Sequence, residues 1–164
     1  MSTRPGAATP LAIWDRDLWL VRAVHRLRPI LSATGLPLPE QVTVKAGATR
    51  LPPGDASHPL GECWPSRTRD DLVPHLVISQ SITDDLTILA VLVHELVHAS
   101  DDCRSGHGPW FQGWALAVGL EEPFPSTQAG PRLQRALRPI TQGLGRYPNA
   151  KHGYSVSPSG SLLS

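Results

Sequence analysis

The residues with the clearest chemical potential are His94, Glu95 and His98, in the run His94-Glu95-Leu96-Val97-His98. On a helix, residues four apart share one face, so both imidazoles can reach a single metal ion. Glu95, one position on, is within reach of a water molecule in an open position of that ion. This arrangement is the mechanical basis of the HExxH pattern in metal-dependent peptidases. The surroundings sharpen the reading. The three residues interrupt an apolar run (Leu86, Ile88, Leu89, Val91, Leu92, Val93, Leu96, Val97), where polar groups are costly unless something satisfies them.

A catalytic zinc takes three protein ligands and a water, and the HExxH run supplies two. Three sources remain open for the third. His107 lies nine residues beyond His98. It reaches the metal only if the helix stops near Asp102 and the chain reverses through Ser105-Gly106, with Gly106 and Gly108 allowing the unusual backbone. On an uninterrupted helix it would lie about 13 Å further along the axis. Glu121 or Glu122 would give the arrangement of thermolysin-like enzymes. Cys63 would give that of peptide deformylases, although the local order here is Gly-Glu-Cys. A metzincin-type third histidine is excluded because position 104 is Arg.

The elements that must position these groups follow from periodicity. Trp14–Thr34 reads as an amphipathic helix with Leu18, Val21, Val24, Leu27 and Leu31 on its apolar side. Pro29 is expected to kink or end it. Val42–Ala46, Gly61–Trp64 and His75–Ser79 read as short strands, separated by a Pro/Gly-rich loop over 47–60 and a charged turn at Arg67–Asp71. The metal helix is expected from about Thr83 to about Asp102. Ser81, Thr83 or Asp84 would cap it, and Ser105-Gly106 would end it. Pro109–Leu120 reads as a helix stopped by Gly119, and Pro131–Leu144 as one split at Pro139. Trp110, Phe111 and Trp114 read as core packing. The pattern implies an α+β domain over residues 13–150, with a flexible arm at 1–12 and a flexible tail at 151–164.

Composition narrows the class. With 164 residues, 17 prolines, 14 glycines and two cysteines, the chain suits one loop-rich domain. It is neither collagen-like, nor a coiled coil, nor a disulfide scaffold. The apolar run from Leu86 is too short for a membrane span and leads into His94 and Glu95. A cytoplasmic monomer without membrane contact is expected. The net charge of +1 conceals an asymmetry. From Pro123 onward there are five cations (Arg132, Arg135, Arg138, Arg146, Lys151) and no Asp or Glu, leaving −4 on the rest. Such a stripe suits weak contact with an anionic partner such as DNA.

The HELVHA run followed by Gly106-His107-Gly108-x-x-Phe111 resembles the SprT-like (Spartan-type) zinc metallopeptidase family. Ala115–Leu120 matches a family helix ending in Gly-Leu. Gly61–Trp64 and Gly145–Ala150 are similar to segments of small bacterial and phage members, so the resemblance spans roughly Trp14 to Ala150. It implies a minimal zincin-like fold: an N-terminal helix, a small three-stranded sheet, a central metal-binding helix and further C-terminal helices. It implies one catalytic zinc on His94, His98 and His107, with Glu95 as the general base for peptide hydrolysis. Spartan-type members cut proteins crosslinked to DNA, which makes DNA-associated proteins the implied substrate. The C-terminal zinc ribbon of many SprT proteins has no counterpart here, since the chain lacks the cysteine pairs.

Within this reading Tyr147 or His75 is a candidate second oxyanion donor. Asp101 or Asp102 is a candidate acceptor for the outer N–H of a ligand imidazole. An extended peptide would lie along the sheet edge. Two alternatives stand beside it. One is a non-proteolytic, zinc-containing module that binds DNA or protein. The other is a zinc amidohydrolase of deformylase type that uses Cys63.

Overall fold

The computed structural model describes residues 11–50, 59–124 and 127–148. Helix α1 (Leu11–Ser32) leads to strand β1 (Thr43–Gly47), strand β2 (Gly61–Trp64), a single 3-10 turn at Ser66–Thr68 and strand β3 (His75–Ser79). Helices α2 (Asp85–Ala99) and α3 (Pro109–Val118) follow. The short strands β4 (Leu120–Glu121) and β5 (Gln128–Ala129) come next, and helix α4 (Pro131–Leu144) is last. The class is α+β, as the pattern implied.

β3 is the centre of a mixed sheet of order β1-β3-β2. β1 runs parallel to it (Thr43 opposite His75) and β2 antiparallel (Trp64 opposite His75). A central strand buried on both faces needs a continuous apolar run, and Leu76, Val77 and Ile78 supply it. α2 packs against β2, β3, α3, α4 and β5. Contact on so many sides explains why Ile88 through Val97 are all buried.

Several details depart from the sequence reading. α1 begins at Leu11, inside the stretch expected to be a flexible arm, and runs through Pro29 to Ser32. Pro29 is exposed in the last turn, so the carbonyl of His25 that loses its donor can turn to water. The inward side of α1 is Trp19, Leu20, Ala23, Val24, Leu27 and Leu31, whereas Leu18 and Val21 are about half exposed (48% and 52%). The i, i+4 row through 19/20, 23/24, 27 and 31 buries more apolar surface than a row through 18 and 21. α4 likewise continues through Pro139, which is exposed while Leu133, Leu137 and Ile140 are buried. The small β4–β5 sheet was not anticipated, because two-residue strands have no periodicity. Of the expected 47–60 loop, residues 51–58 lie outside the described residues, as do the arm up to residue 10 and the 151–164 tail.

After α4 the chain returns to the start of the fold. The Trp19 indole N–H donates to the Gly145 carbonyl (3.1 Å), and the Tyr147 backbone N–H donates to Asp85 Oδ1 (2.8 Å). The Tyr147 ring meets Trp19 edge-on at 5.2 Å. Among the described residues no helix is long and apolar enough to cross a membrane.

Candidate metal centre

α2 starts where Asp84 caps it, its Oδ2 accepting from the Thr87 backbone N–H (2.8 Å) and hydroxyl (2.7 Å). It ends at Ala99, earlier than the sequence implied. Asp102 and Cys103 then adopt left-handed backbone (φ 57° and 58°), and the Cys103 N–H returns to the His98 carbonyl (2.8 Å). The Asp101 carboxylate accepts the backbone N–H groups of Arg104 (3.2 Å) and Ser105 (3.0 Å). Gly106 continues the reversal at φ 52°. The reversal therefore rests on four residues, and not on glycine alone. It delivers His107 immediately ahead of α3, whose Gln112 side-chain amide donates to the His107 carbonyl (2.8 Å).

The consequence is a convergence of three imidazoles. The Nε2 atoms of His94 and His107 are 3.1 Å apart, those of His98 and His94 3.2 Å, and those of His98 and His107 3.2 Å. Three nitrogens on a tetrahedral ion at about 2.0–2.1 Å stand about 3.3 Å from one another. Burial pushes His94 down to about 3 and His98 down to about 4, and lowers His107 as well; the neighbouring imidazoles act in the same sense on the first two. All three are thus neutral ligand-state imidazoles near pH 7, with convergent nitrogens, and the cluster fits a metal ion. The donor set alone does not choose among the metals that imidazole favours.

Phe111 forms the floor of this cluster. It is fully buried, stacks on His98 at 4.2 Å and meets His107 at 90° and 5.0 Å. The sequence reading placed Phe111 in the Gly106-His107-Gly108-x-x-Phe111 run and otherwise as core packing, without a contact to the histidines. The available signal was its fixed place in that run, four residues after His107 and in the first turn of α3.

Glu95 is buried beside the cluster. Burial, and secondarily the Glu62 carboxylate, push its carboxyl up to about 8. A cation at the imidazoles acts in the opposite sense. Gly61 on β2 crosses directly over Glu95. A Cβ there would stand 2.7 Å from Val91 Cγ1 and 2.9 Å from Glu95 Cγ and Oε1. Glu62, Trp64, Glu95 and the three histidines are among the residues lining a cleft of about 490 Å³. β2 is both an edge of the sheet and a wall of this cleft.

The other sequence candidates lie elsewhere. Cys63, Glu121 and Glu122 do not belong to the metal-capable group, which is His94, His98 and His107 alone among the described residues. The Cys63 sulfur instead faces Cys103. Tyr147 is buried near the start of α2, nine residues and about 14 Å of helix away from His94. His75 pairs with Thr43 Oγ1 across β1 and β3. Neither lines the cleft, so neither is placed to donate to an oxyanion there. Asp102 accepts from the Ser66 backbone N–H (2.6 Å) and hydroxyl (2.9 Å) and pairs with Arg67. Like Asp101, it makes no hydrogen bond to His94, His98 or His107. The outer nitrogen of His94, Nδ1, is buried without a hydrogen-bond partner. The chain matches no protein-family model, no curated protein and no solved structure.

Proposed function

We propose that this protein is a zinc-dependent peptidase of SprT type. The observation that carries the reading is the meeting of three neutral imidazoles with a buried glutamate in one cleft walled by an edge strand. Three histidines leaving a fourth position open are a catalytic zinc set. When bound, zinc supplies Lewis acidity, which makes water nucleophilic near neutral pH and polarises a carbonyl oxygen.

The chain's own residues do the rest. His94, His98 and His107 hold the ion, and Phe111 fixes their ring planes. Glu95 is the general base: its carboxylate takes the proton of the attacking water and passes it to the leaving amine. Its burial keeps bulk water from competing for that proton. An extended peptide adds alongside β2, whose outer edge is unpaired among the described residues, and so presents a backbone carbonyl to the cleft. The resemblance to SprT-like enzymes supports proteins associated with DNA as the substrate. The exposed Arg132, Arg135 and Arg138 on α4 provide a basic stripe for weak DNA contact.

The test is Glu95→Gln in a cleavage assay on an unfolded protein substrate, with and without DNA. Zinc content should stay near one per chain while cleavage falls by at least about 100-fold. Zinc retained with cleavage retained would remove Glu95 from the chemistry. A wild-type protein that holds zinc but cleaves nothing in either condition would favour a non-proteolytic zinc module.

A further inference from the structure

The sequence contains two cysteines, 40 residues apart, and the fold brings them together. Cys63 Sγ and Cys103 Sγ are 2.7 Å apart, and Cys103 Sγ also lies 3.5 Å from the Cys63 carbonyl oxygen. Two sulfurs that are not bonded normally stand further apart, and closing to a bond of about 2.05 Å needs a shift of only some 0.6–0.7 Å. Both thiols are half-buried and both line the cleft, so small oxidants have access.

The backbone around them is already fastened. Cys63 is held in β2 opposite Leu76. Asp102, next to Cys103, is bound to Ser66 just beyond β2. Cys103 itself sits at φ 58°, a conformation that L residues with a side chain seldom adopt and that its surroundings must impose. Nothing in the proposed peptide hydrolysis uses either thiol.

We propose that Cys63 and Cys103 form a redox-active dithiol that closes to an intramolecular disulfide, fastening the edge strand β2 to the loop between α2 and α3. The co-reactant class is a small-molecule disulfide. One cysteine thiolate attacks a sulfur of the small disulfide, forming a mixed disulfide and expelling one small thiolate. The second cysteine gives its proton to solvent and attacks the cysteine sulfur of the mixed disulfide, expelling the other small thiolate. The two cysteines lose two electrons, and the small disulfide becomes two thiols. The half-buried position of both sulfurs on the cleft leaves the bond open to thiol exchange, as suits a regulatory pair more than a permanent staple.

The experiment equilibrates the full chain, zinc-loaded, with glutathione buffers of increasing oxidised fraction, then traps free thiols with an alkylating reagent and weighs the intact protein. The expected result is a concerted loss of both reactive thiols within one chain, a mass lower by about 2 Da and no retained glutathione. The oxidised chain should unfold about 5 °C or more above the reduced one, since the bridge closes a long loop. Cys63→Ala should abolish that difference and leave a glutathione adduct on Cys103. A stable adduct on the wild-type chain, a disulfide-linked dimer, or two thiols still alkylated in the most oxidising buffer would each overturn the proposal. So would thiols that react only after a chelator strips the metal, because the pair would then be metal ligands. None of these readouts depends on proteolysis.

Discussion

At the scale of single residues, the centre depends on small distances. His107 is one of the three clustered imidazoles that could hold a metal ion, and it is supplied by a loop. His107→Ala should leave the α2 pair in place but weaken zinc binding by at least about 100-fold, measured by competition with a chromogenic chelator. Gly61 has a different role. Its missing Cβ is the space that Glu95 occupies. Gly61→Ala should cost about 1–3 kcal/mol of stability through overpacking against Val91 and Glu95. It should also lower kcat more than it changes zinc content, because the displaced group is the proposed base and not a ligand. Denaturant unfolding and zinc analysis of the same preparation separate the two effects.

At the scale of elements, α2 and α3 meet at the cluster through Phe111 as well as through the three histidines. A fully buried phenylalanine that stacks on His98 and abuts His107 holds ring planes as well as filling volume. Phe111→Ala should destabilise the fold by about 3–5 kcal/mol. In whatever fraction stays folded it should also accelerate zinc release to a chelator. Phe111→Leu should recover most of the stability and less of the zinc retention, since a branched aliphatic side chain fills the space without a planar face. Equal recovery of both would reduce Phe111 to packing alone.

At the scale of the whole molecule, the segment after α4 closes the fold by seating Tyr147 against Trp19 and the start of α2. Burial pushes the Tyr147 hydroxyl up to about 12, and its oxygen has no hydrogen-bond partner. A group whose folded-state pKa lies above its unfolded value of about 10 favours the folded state fully below that value. The contribution is lost as pH rises from about 10 through about 12, because the unfolded chain releases the proton first. Thermal midpoints of the wild type should therefore fall across this window more steeply than those of Tyr147→Phe. At pH 7 the variant should be no less stable, since no hydrogen bond is removed. Parallel curves would exclude a buried hydroxyl at this position.

Much of the architecture was legible in the chain because it is local. The apolar run of α2, the β-branched strand His75–Ser79 and the Pro109 and Gly119 ends of α3 are each set by neighbours within one or two turns. The two prolines misled for a related reason. Sequence shows that Pro29 and Pro139 lack an N–H, but not that the orphaned carbonyl faces water. Which side of α1 turns inward was likewise decided by β1 and α4, which pack against it.

The spacing His94-x-x-x-His98 determined by itself that two imidazoles share a helix face, because helical geometry allows nothing else. It left the third partner open among His107, Cys63, Glu121 and Glu122. Only the tertiary structure shows which of them lies beside the helix pair. A left-handed turn at Asp102 and Cys103 carries His107 back to within 3.2 Å of both helix histidines. The same turn points Cys103 at Cys63 and Asp102 at Ser66. The physical reason is that positive φ at residues other than glycine is imposed by surrounding contacts, and those contacts join segments that lie 36 to 40 residues apart in the chain.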